Sequence, residues 1–168
     1  MAAALGSRGE RAIEHVHAAV RPPSTLGLDD FSTLGSARLL VFEALLCQTS
    51  GDQSAAERAW KAAAQTADET NSEEGLFRAI SLHKSGEIER AETWFRDFLT
   101  ANDQNKNSVR ATTRSQAYYL SGVYAAFRGE SEKARESIRQ SIEIDRTFLW
   151  AHQALAWLDA RLFVNLAR

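Results

Sequence analysis

One pattern of small, large and polar positions recurs three times along the chain, in SGDQSAAERAW (50–60), SGEIERAETWF (85–95) and RGESEKARESI (128–138). Aligned on Gly51, Gly86 and Gly129, each copy continues with an acid, Asp52, Glu87 or Glu130. Five residues past the glycine stands an alanine: Ala56, Ala91 or Ala134. Nine past it comes a larger apolar residue, Trp60, Phe95 or Ile138, and twelve past it Ala63, Phe98 or Ser141. Seven before it lies a small residue, Ala44, Ala79 or Gly122. Small residues on both sides of a turn let two helices approach closely, and the glycine supplies the left-handed backbone that ends the first of them. The pattern predicts three antiparallel helix pairs, and no such pair buries its own apolar face, so the copies must stack.

Outside the copies the pattern changes. ERAIEHVHAAV (10–20) sets Ile13, Val16 and Val20 on one face and predicts a separate short helix. Pro22 and Pro23 then end it, so residues 1–35 divide into an N-terminal helix and a linker ahead of a repeat domain at 36–168. TANDQNKNSVRATTR, after the second copy, is long and polar and predicts a loop followed by an extra turn ahead of the third pair. At the end, LWAHQALAWLDARLFVNLAR predicts one more helix. Its Ala151, Leu155, Leu158, Leu162 and Leu166 form one apolar stripe, expected to pack on the third copy, while Trp150, Trp157 and Val164 form a second on another face. A second stripe left in water would need a cover, whether a second copy of the chain, the N-terminal helix or a partner, and self-association through this helix is the favoured expectation.

At its repeated residues the chain resembles the tetratricopeptide repeat (TPR) family, with steps of about 35 and 43 residues between glycines. Repeats would run from about Ser36 to Thr70, Ser72 to Asn105 and Ser115 to Phe148, with Leu149 opening a fourth. The resemblance implies an all-α, right-handed superhelix of stacked antiparallel hairpins, about three repeats plus a C-terminal helix. It also implies an inner face formed by the first helix of each repeat. On this chain that face would carry Val41, Leu45, Leu76, Ile80, Tyr119 and Val123, with Trp150 and Trp157 from the last helix and Phe127 at the rim. The alternative for the same residues is plain helix-on-helix packing. Two departures stand out: the place eight before the glycine, usually large and apolar, holds Glu43, Arg78 and Ser121, and the usual proline after the second helix is replaced by Asp68, Asp103 and Arg146. A looser similarity of texture extends to the C-terminal TPR tails of some bacterial glycoside-hydrolase-related proteins.

Composition narrows the function classes. A net charge of −2 with no Lys/Arg block speaks against a nucleic-acid surface. No run of about 18 uninterrupted apolar residues exists to cross a membrane, and the N-terminus lacks the apolar core of a secretory signal. Cys47 stands alone, which fits a reducing, cytoplasmic setting. His15 and His17 are two apart, so on a helix they point about 200° from each other and cannot share an ion. His83 and His152 have no ligand-spaced companions, the glycines form no phosphate loop, and Glu73 with Glu74 reads as a solvated helix start. The sequence therefore predicts no catalytic, cofactor or metal site. TPR adaptors that clamp acidic tails need charged donors where this chain has Val41, Leu45, Phe77, Gln116 and Leu120. The expectation is a non-catalytic module that binds a protein or peptide through an apolar or amphipathic segment. The alternative is an accessory or oligomerisation domain of a larger enzyme.

Overall fold

Three glycines held at φ +86°, +90° and +77°, Gly51, Gly86 and Gly129, each end one helix and turn the chain into the next. In the computed structural model, which describes Arg11, residues 36–66 and residues 72–159, the described residues form seven helices and no strand. They are α1 (Ser36–Ser50), α2 (Gln53–Ala64), α3 (Glu73–Lys84), α4 (Ile88–Lys106), α5 (Ala111–Phe127), α6 (Ser131–Ile144) and α7 (Leu149–Asp159). The protein is all-α over this extent. Apart from Arg11, the helix expected at 10–20 lies outside the described residues, as do the linker to 35 and Leu162, Val164 and Leu166.

The three turns are built alike. The amide of the acid after each glycine donates to the carbonyl five residues back, Asp52 to Cys47, Glu87 to Leu82 and Glu130 to Ala125, each at 2.9 Å. The glycine amides close the inner ring onto Gln48, His83 and Ala126, at 3.2, 3.1 and 3.0 Å. This paired closure requires the left-handed residue, which is why glycine recurs there. The same acid's carbonyl then accepts the first bond of the next helix, from Ala56, Ala91 and Ala134. One residue thus finishes one helix and caps the next. Asp52 is short enough to accept from the Ala55 amide at 2.9 Å. The longer Glu87 and Glu130 instead pair with Arg90 and Lys133 one turn on.

The chain divides into two compact units, Met1–Thr93 and Trp94–Arg168, with the division inside α4. In the first, α3 packs against both α1 and α2. Phe42 and Phe77 meet edge to face at 5.7 Å, and Ala44, Ala56, Trp60 and Ala63 are buried. The start of α3 differs from its sequence reading. Ser72 caps it, accepting from the Gly75 amide at 2.9 Å. Glu73 and Glu74, however, are not a solvated helix start. Glu73 takes the Arg38 guanidinium at 2.9 Å, and Glu74 accepts the Arg38 amide at 3.1 Å, so α3 supplies an acceptor to the first turn of α1. Burial outweighs these contacts and pushes the Glu74 carboxyl above its ordinary range.

In the second unit α5 packs closely on α6, and α7 lies against both. A Cβ at Gly122 would overlap the Ile138 side chain and stand 3.0 Å from the Ala134 carbonyl oxygen, so only glycine permits this approach. At the end of the contact away from Gly129, the buried hydroxyls of Ser115 and Ser141 face each other at 3.0 Å and bond crosswise to one another's carbonyls, at 3.0 and 2.7 Å. Phe148 meets Tyr119 edge to face at 5.3 Å, and Arg135 of α6 pairs with Asp159 of α7.

The long polar segment after the second copy is the largest departure from expectation. Residues 100–106 are not a loop; they are the last turns of α4. Asn102 is buried there, donating to the Ala117 carbonyl at 2.9 Å and to the Ser121 hydroxyl at 2.8 Å. Lys106 reaches Asp103 at 2.8 Å and lies 5.8 Å over the Tyr118 ring. The connection shrinks to residues 107–110, and the extra turn expected ahead of Ser115 is present from Ala111.

Candidate functional site

The nine residues expected to line a partner groove are carried by α1, α3, α5 and α7. They fall into two groups. Val41, Leu45, Leu76, Ile80, Tyr119, Val123 and Phe127 are all buried. Places ten and six before each glycine flank the small residue at seven and are buried with it, so packing absorbs them. Phe127 is not at a rim: its ring lies 5.3 Å from Phe95 and 6.3 Å from Tyr124. Trp150 and Trp157 alone of the nine keep part of their surface. Leu149, at the start of the same helix, is 67% exposed. The stripe that α7 buries is Ala151, Ala154 and Leu158, with Leu155 only half-buried. The inward face is therefore shifted towards Ala154, the small residue that allows close contact.

Two of the three polar residues eight before the glycines, Arg78 and Ser121, are joints. Arg78 Nε donates to the carbonyl of Ala64, the last residue of α2, at 3.2 Å. Ser121 accepts from Asn102 of α4. In both, a first helix reaches the end of the second helix before it. Sequence reasoning noted these places only as departures. The clue was available: a polar residue repeated at one phase of an otherwise apolar helix face.

No family model, curated protein or solved structure matches this chain.

The described residues offer little chemistry. No group of three or more His, Cys, Asp or Glu side chains converges among them as a metal site would require. Burial raises the Cys47 thiol pKa, and the Glu43 and Asp52 carboxylates raise it further, so the reactive thiolate is disfavoured. Burial alone lowers the Lys84 pKa. The imidazole Nε2 of His152 lies 2.9 Å from the Arg146 carbonyl, a bond that steadies the entry to α7. Among the described residues no helix is long and apolar enough to cross a membrane.

Proposed function

We propose that the chain is a non-catalytic protein–protein interaction module of the TPR type, its hairpins stacked as a right-handed superhelix, binding an apolar or amphipathic segment of a protein partner. The observation that carries this reading is the threefold recurrence of one hairpin closure, with the same positions buried on either side of it each time. Stacked hairpins of this kind create extended surfaces, and that geometry supports a binding role. Of the residues first expected in a groove, Trp150 and Trp157 retain surface for a partner, and Leu149 adds to them. Tryptophans at the centre of a contact supply much of its energy.

A panel of immobilised peptides, amphipathic-helical, extended apolar and acidic, tests the proposal with the full chain. Binding should favour the first two classes and persist from about 50 to about 150 mM salt, because apolar contact is weakly screened. A Trp150→Ala, Trp157→Ala variant of unchanged helicity should bind at least about tenfold more weakly. Preference for the acidic peptides, or equal binding by the variant, would overturn the reading. A second reading, self-association through α7, is favoured by the exposure of Leu149. It predicts that the wild type sediments as a dimer and a Trp150→Ser, Trp157→Ser variant as a monomer.

A further inference from the structure

We draw no further inference here: the strongest candidate, the face of α7 that carries the exposed Leu149 and Ala156 beside the half-buried Gln153, is a surface patch for which nothing in the structure shows what covers it.

Discussion

The two compact units use the same hairpin turn but differ in how far their buried polar atoms are matched. In Trp94–Arg168 the buried polar side chains are bonded: Asn102 twice, Ser115 and Ser141 to each other and to each other's backbone. Among the described residues of Met1–Thr93 the buried Ser81 hydroxyl donates to the Phe77 carbonyl at 2.8 Å, but the Trp60 indole nitrogen, the Gln48 carbonyl oxygen and the Ser85 hydroxyl are buried with no hydrogen-bond partner. An unmatched buried polar atom carries its desolvation cost without return, whereas a matched pair fixes register. The turn alone therefore makes a hairpin; what aligns its helices differs, serine and glycine contacts in one unit, bulk apolar packing around Trp60 in the other.

The strongest way to break this comparison is at Gly122. Gly122→Ala drives a Cβ into Ile138 and towards the Ala134 backbone, which cannot withdraw as a flexible side chain could. Overpacking of this kind should cost about 2–3 kcal/mol, read as a lower urea midpoint with the slope unchanged. A wild-type midpoint would show that α5 and α6 are not so close. Next comes a matched pair of deletions. Ser141→Ala removes the two bonds made by its hydroxyl, leaving the Ser115 hydroxyl only its bond to the Ser141 carbonyl, and should cost about 1–3 kcal/mol. Trp60→Phe removes an indole N–H that has no partner, so the gain in desolvation should offset much of the lost packing, leaving the smaller loss of the two in thermal melts. Equal losses would erase the distinction between the units.

The smallest expected effect is one of pH. The Glu74 carboxyl sits above its ordinary range in the folded chain because it is buried. A carboxyl so raised contributes stability that is fully present below the unfolded pKa and is lost as pH rises through the folded one. Glu74→Gln keeps an oxygen for the Arg38 amide without the charge. Its stability relative to wild type should therefore improve from about pH 4 to pH 7, in denaturation series at matched ionic strength. A relative stability that falls over that interval would mean that Arg38 holds Glu74 more strongly than burial opposes it.

Much of the fold was legible because its determinants are local. Gly51, Gly86 and Gly129, the acids after them and the small residues at fixed distance lie within one hairpin, and the alanines they mark are buried. The end of α4 was not legible because nothing apolar repeats after Leu99; a single buried amide, Asn102, holds that turn against a helix fifteen residues away. Glu73 and Glu74 were misread for a similar reason, since their partner Arg38 is 35 residues distant from the first of them. The candidate site was harder still. Val41 or Ile80 has the same character whether it meets a partner or the core, and hydrophobicity cannot tell the two apart.

The turn in which one acid both ends a helix and begins the next leaves no spare residue at a hairpin tip. Adding even one there would break the five-back bond, the inner ring and the first bond of the following helix together. Between hairpins no such constraint applies. The second step is eight residues longer than the first, and the longer α4 and α5 take up that difference around a short connection at 107–110. Insertions, fused tags and protease nicks should accordingly be tolerated at Asn107–Arg110, where Val109 stands 94% exposed, and rejected at Gly51, Gly86 and Gly129. The architecture carries its own map of where its length is free to change.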